Sequence, residues 1–146
     1  MDPMWRIAAV AGAVALATGV MFALRYVFLA ARRRRLRRLV DRFRYDREQL
    51  EAKFFDLARA AAGEDWDAAE FDGAAQFVRD RDAGRISALV EVVLLRGPRP
   101  ASHATSLFHV HKGRWTTHGR MFENINPEEA LERYHDRYEA LPVRQS

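Results

Sequence analysis

The residues best equipped for chemistry are histidines. His109 and His111 stand two apart in an alternating stretch, so on a strand both imidazoles project from one face. A hairpin turning at Lys112-Gly113 sets His111 opposite Arg114, His109 opposite Thr116 and Leu107 opposite His118, which brings His118 diagonally beside His109. Three neutral imidazoles in that pattern form a ligand set for zinc with an open coordination position, where bound water would be activated for hydrolysis. Arg114 and Arg120 share that face and oppose a cation. Phe108, Val110, Trp115 and Met121 occupy the other face, so the same pattern also describes the polar, solvated side of a sheet. The expectation is therefore no resident cofactor and no assigned catalytic residue, with zinc on His109, His111 and His118 as the alternative.

Other clusters carry less chemistry. In Tyr134-His135-Asp136-Arg137-Tyr138 the acid could orient the imidazole, but neighbours on a helix point about 100° apart. Glu64, Asp65, Asp67, Glu70 and Asp72 gather around Trp66 without the glycine spacing of a calcium loop, which reads as a solvated turn. The chain has no glycine-rich phosphate loop, Gly-x-Ser-x-Gly elbow or His-Glu-x-x-His pattern. It also has no cysteine, which excludes disulfides, thiolate metal sites and thiol nucleophiles. The net charge of +4 conceals a segregation. Residues 1–44 hold ten Arg against two Asp (+8), while residues 45–146 hold fourteen Lys and Arg against eighteen Asp and Glu (−4). The folded part is mildly acidic, which argues against nucleic acid as a partner.

The basic residues adjoin a hydrophobic segment. Ile7 to Leu24 is an eighteen-residue run without charge, and after Arg25 the stretch Tyr26 to Ala31 is apolar again. That length spans a bilayer core, and Trp5 and Tyr26 bracket it as interfacial aromatics do. A cleaved signal peptide fits poorly, because Arg32 to Arg35 directly follow the Leu29-Ala30-Ala31 site. Arg6 stands alone before the span; Arg25, Arg32, Arg33, Arg34, Arg35, Arg37, Arg38, Arg42 and Arg44 follow it. The positive-inside rule then predicts the N-terminus, with Asp2, outside and the C-terminal domain in the cytoplasm at the inner (plasma) membrane. The arginines are placed to meet anionic headgroups.

Positioning the histidines requires a sheet and something to cover it. No Gly or Pro occurs between Gly19 and Gly63, so helix is expected to continue past the collar. Leu36, Val40, Phe43, Leu50, Phe54, Leu57 and Ala61 make a 4-3 stripe, widened by Leu39 and Ala58 and interrupted by Arg47. Such a stripe serves a coiled coil or the face of a sheet; packing on the sheet is the expectation, with Gly63 as C-cap. Phe71 to Asp80, Arg85 to Leu95, His103 to Lys112 and Arg114 to Glu123 read as four antiparallel strands, and Arg96 to Ser102, with two prolines, as a loop. Asn126-Pro127-Glu128-Glu129 opens a closing helix that carries Leu131, Tyr134, Tyr138 and Leu141 to Pro142. The predicted class is α+β: a membrane helix (about 7–30 within segment 1–31), an arginine collar (32–44), a domain (45–142) built of a long amphipathic helix on a four-stranded sheet, and a tail (143–146).

Gly113-Arg114-Trp115 after an apolar strand, followed by Gly119 and a further strand, resembles the last hairpin of NTF2-like domains. The early helices of that family are missing, and a cystatin-like helix laid across a sheet is the closer likeness for this length. The layout also resembles a group of small, uncharacterised membrane-anchored bacterial proteins, which implies an architecture and no activity. The expected function is a non-enzymatic cytoplasmic module for a protein partner or for self-association, with Trp115 as the interaction residue and membrane lipid at the collar. A small-molecule or metal-binding domain, including a histidine-based hydrolase, is the alternative.

Overall fold

The computed structural model describes residues 4–63 and 66–143. Helix α1 (Met4–Ala62) is followed by β1 (Ala68–Asp80), β2 (Arg85–Arg96), β3 (Arg99–His111), β4 (Arg114–Thr116), β5 (Met121–Glu123), the short helix α2 (Pro127–Arg133) and β6 (Tyr138–Ala140). The class is α+β. The chain divides into two compact units between Leu39 and Val40, so the unit that holds the sheet begins inside the stretch read as collar.

In the first unit every described residue is helical, and the apolar side chains up to Leu29 are exposed, as at Ile7, Val14, Phe22 and Phe28, while Ala30, Leu36 and Leu39 are half-buried. By length and composition α1 is able to cross a membrane. Tyr26 and the arginines Arg32 to Arg35, Arg37 and Arg38 are exposed on it. Asp2 and the side chains of Trp5 and Arg6 lie outside the described residues, as do Glu64, Asp65 and residues 144–146 of the tail.

In the second unit the remainder of α1 lies against one face of the sheet. Val40, Phe43, Leu50, Phe54 and Ala58 are buried, whereas Leu57 and Ala61 are exposed. The Phe43 ring meets Trp115, Phe77 and Phe108 at 4.9, 5.5 and 5.5 Å between ring centres, and Phe54 meets Phe71 and Phe108 at 5.8 and 5.7 Å. Trp115, expected at an interaction surface, is a core residue at 7% exposure. Arg47, the charged residue in the apolar stripe, has a structural role. β1 bulges between Asp72 and Gln76, and Arg47 donates to the Gly73 carbonyl there at 3.1 Å while pairing with Glu51. Gly63, at φ +62°, ends α1 with its N–H donating to the Arg59 carbonyl, the left-handed cap its position implied.

The sheet has six strands, not four. Its order is β4-β3-β2-β1-β6, and β5 also pairs with β3. Three local features depart from the expectation, of which the second and third add the two strands. First, the stretch from Arg96 to Ser102 is no loop: Gly97, at φ +60°, and Pro98 turn the hairpin, and Pro100 lies opposite Leu95 next to a register shift. A positive φ followed by the negative φ of proline is the order a type II′ turn uses. Second, the fourth strand breaks at residues 117–120, where the Thr117 hydroxyl donates to the Leu107 carbonyl and the Leu107 N–H donates to the Arg120 carbonyl. β4 and β5 are its two halves along the same edge of β3. Third, the closing helix is one short segment. Asn126 and Glu129 form a reciprocal capping box with Pro127 in the first turn, as their spacing predicts, but the helix stops at Arg133. Tyr138 then buries its ring beside Val78, Leu89, Leu107, Ile125 and Ala130 on the face away from α1, and Tyr138–Ala140 pair with the end of β1. Burial of Tyr138 and anchoring of Arg137 outweigh the helical spacing of Tyr134, Tyr138 and Leu141.

Gly119 fixes the break in the fourth strand against α1. It sits at φ +71°, and a Cβ there would meet the Ala58 nitrogen at 2.7 Å and the Leu57 Cβ at 2.8 Å. Gly84 has a similar φ of +62° but open space around it. Gly119→Ala therefore combines backbone strain with overpacking and is expected to destabilise by about 3 kcal/mol or more, against about 1 kcal/mol for Gly84→Ala. Guanidinium unfolding of the full chain in nanodiscs, followed by tryptophan fluorescence, measures both; equal losses would mean that α1 does not approach Gly119.

Candidate functional site

The face of the sheet away from α1 carries the polar residues that the strands bring together. The hairpin turns at Lys112-Gly113, both at positive φ, and pairs His111 with Arg114, Val110 with Trp115 and His109 with Thr116. His118 lies within the strand break, and its ring centre is 4.6 Å from that of His109, inclined by 36°. His109 is 2% exposed, while His111 and His118 are exposed. Of the three imidazoles only that of His109 is covered, while His111 and His118, like Arg114 and Arg120, face solvent. No three His, Asp or Glu side chains are grouped to hold a metal ion among the described residues.

Alternation along β2 puts Arg85 and Ser87 on the same face as His109. Ser87 stands between Val78 of β1 and His109 of β3, Arg85 lies opposite Asp80, and Asp80 lies opposite Tyr138. Asp80 has no accessible surface. Arg137 grips its carboxylate with two nitrogens, Nε to Oδ1 at 3.3 Å and Nη2 to Oδ2 at 3.1 Å, and the Ala83 N–H donates to Oδ1 as well. Burial alone would raise the Asp80 carboxyl; the bonds from Arg137 and Ala83, with the charges of Arg137 and Arg85, outweigh it and hold the group below the usual range. The Arg137 guanidinium also lies 5.2 Å from the centre of the Tyr138 ring.

Buried donors in this region lack partners. Among the described residues, Arg85 Nε, Ser87 Oγ, Tyr138 Oη and Trp66 Nε1 are buried polar atoms without a hydrogen bond. Three of the four lie on this one face. Elsewhere on β3 the buried hydroxyls are satisfied, Thr105 donating to the Ile125 carbonyl and Ser106 to the Val90 carbonyl, both at 2.7 Å. Tyr138 also lines a cavity of about 180 Å³ together with Leu107, Arg120, Met121, Phe122 and Arg137.

The remaining sequence candidates do not join this region. His135 Nε2 lies 3.2 Å from Asp136 Oδ1 in the exposed turn after α2, where no helix separates their directions. Asp67 accepts from the Gly97 N–H and Asp72 from the Gly73 N–H, which are turn and bulge contacts. Conversely, Arg85, Ser87, Arg137 and Tyr138 were absent from the chemistry read along the chain. One signal for them was present: in Arg85-Ile86-Ser87-Ala88-Leu89 two polar residues occupy the period-2 positions of the most apolar strand.

His109 gives this region a pH signature. Burial, then the charges of Arg85, His118, His111 and Arg120, lower its pKa to about 4. The unfolded chain, near 6.5, binds the proton first as pH falls. The stabilisation from a neutral His109 is therefore complete above pH 6.5 and is lost between 6.5 and about 4, by roughly 2–3 kcal/mol. His109→Gln should flatten the stability curve in that window and leave the loss below it, where Asp80 titrates; an unchanged slope would place the proton uptake elsewhere. Comparison of the chain with family models, with curated proteins and with solved structures finds no match.

Proposed function

We propose that this is a single-pass membrane-anchored protein with its N-terminus outside and its domain in the cytoplasm, where the domain serves as a non-enzymatic binding module for a protein partner or a second copy. The observation that carries this reading is the double use of α1. The helix holds an apolar stretch able to cross a bilayer and, after the arginines, supplies Val40, Phe43, Leu50, Phe54 and Ala58 to the domain core. An anchor that is also a core element makes tethering intrinsic to the fold. The excess of arginine after the span supports the orientation, and Arg32 to Arg35, Arg37 and Arg38 would each add about 1 kcal/mol of attraction to anionic headgroups.

Binding is favoured over catalysis by the geometry of Ser87 and His109, a nucleophile-and-base pair on that face. Ser87 and His109 are cross-strand neighbours, yet Ser87 Oγ makes no hydrogen bond, and the two residues are 0% and 2% exposed. An unactivated, inaccessible hydroxyl is no nucleophile. For a macromolecular partner the sheet offers the outer side of β1. β6 pairs only with Val78 to Asp80, leaving Ala68 to Gln76 without a strand neighbour on that side among the described residues. Strand addition is a common use of such an edge.

The absence of cysteine allows a clean test of topology. A single Cys placed at Asp136, which is 96% exposed, should react with a membrane-impermeant maleimide in inverted vesicles and not in intact cells. Labelling of intact cells would reverse the orientation. A photoreactive residue at Ala74, exposed on β1, should capture a distinct protein or a second copy in membranes; capture of neither would remove the interaction reading while leaving the anchor intact.

A further inference from the structure

The six arginines from Arg32 to Arg38 are not equivalent. Residues four apart on a helix stand nearly in line, so Tyr26, Ala30, Arg34 and Arg38 make one row and Val27, Ala31 and Arg35 the row beside it. Between the rows lies a groove of about 490 Å³, with Tyr26, Val27, Ala30 and Ala31 at the end toward the apolar span and Arg34, Arg35 and Arg38 at the other. By the same spacing Arg32 falls on the opposite side, with the half-buried Leu36 and Leu39, and Arg33 and Arg37 fall at the flank; none of these three arginines lines the groove. The groove follows from residue size. Side chains on a helix lean toward its N-terminus, so the long arginines reach back over the preceding turn, and that turn holds two alanines. Ala30, on the floor, is the first described residue of α1 that is half-buried.

The donors are open to a ligand. Arg34, Arg35 and Arg38 are exposed and, among the described residues, make no ion pair, whereas further along α1 Arg42 pairs with Asp46 and Arg47 with Glu51. No acidic residue occurs from Met4 to Val40, and Asp41 is the one carboxylate within a turn of Arg38 to set against the three charges. We infer that this groove is a binding site for one anionic phospholipid, its phosphate held by Arg34, Arg35 and Arg38 and its glycerol end laid over Ala30 and Ala31 toward the span. The inference rests on the reading of α1 as a membrane anchor and narrows the attraction of the arginines to three of them. Guanidinium groups pair with phosphate through two hydrogen bonds at once, which suits a cluster of arginines to that headgroup. About 490 Å³ lies within the range of pockets for small molecules and exceeds what a lone ion fills. A dissolved phosphate would leave Val27, Ala30 and Ala31 uncovered, whereas a lipid is charged and apolar at the same two ends as the groove. Tyr26, 76% exposed, adds a ring and a hydroxyl where interfacial tyrosines stand.

The test places the full chain in phosphatidylcholine nanodiscs with phosphatidylglycerol as the minor component and counts the lipid that stays bound by native mass spectrometry. Phosphatidylglycerol is expected to be retained in preference to phosphatidylcholine. Replacing Arg34, Arg35 and Arg38 together by Gln should weaken that retention about tenfold more than replacing Arg32, Arg33 and Arg37 by Gln, since diffuse attraction depends on the charge removed, which is equal in the two variants. Ala30→Phe with Ala31→Phe fills the floor without altering charge and should also weaken retention about tenfold. None of these positions contributes to the domain core, so the fold is not at stake in any variant. No preference for phosphatidylglycerol, equal losses in the two arginine variants, or full retention in the alanine variant overturns the site while leaving the anchor. A wild-type chain that does not enter the discs removes the anchor and the site together.

Discussion

Phe43 is the residue through which the helix and the sheet hold each other. It is 1% exposed and touches rings from three different strands, Phe77 of β1, Phe108 of β3 and Trp115 of β4. Edge-on aromatic contacts of this kind add about 0.5–1.5 kcal/mol each beyond the area they bury. With Phe54, about three helical turns further along α1, and Phe71, they form a continuous aromatic layer between α1 and the sheet. The bulge in β1 and the break between β4 and β5 both lie against the same helix, the first through Arg47 and the second through Gly119.

The opposite face follows a different physical rule. It is covered only in part, by α2, Phe122 and Tyr138, over a small apolar set centred on Leu89 and Leu107. Next to that set the covering residues are polar and cationic, and the contact that closes the region is the Arg137–Asp80 pair. Removing Arg137 would leave the Asp80 charge buried without its main partner, which is far costlier than never having had the pair. The anchoring of β6 and the architecture of the cavity are thus one electrostatic arrangement.

How much of this was legible beforehand depends on the range of the interactions involved. The α+β class, the apolar span, the capped start of α2 and the pairing of His109 with Thr116 rest on local rules, spacing and turn chemistry, and the sequence carries them openly. Strand count and the end of the last helix do not. Tyr134, Tyr138 and Leu141 have helical spacing, yet residue 138 is claimed by Val78 and Asp80 some sixty positions earlier, and nothing local announces that. The same holds for the site: Arg85, Ser87 and Tyr138 become neighbours only once β6 joins β1, while the histidines, adjacent in sequence, drew the eye to one corner of the region.

The distance along the chain between Phe43 and Trp115 has a consequence for how the protein is made. Seventy-two residues separate the two rings. At translation speeds of about 5–20 residues per second, the apolar stripe of α1 leaves the ribosome roughly 4–14 s before its last aromatic cover. Throughout that interval the stripe of α1 has no sheet to pack against, and Arg47 is the charge that interrupts its apolar surface.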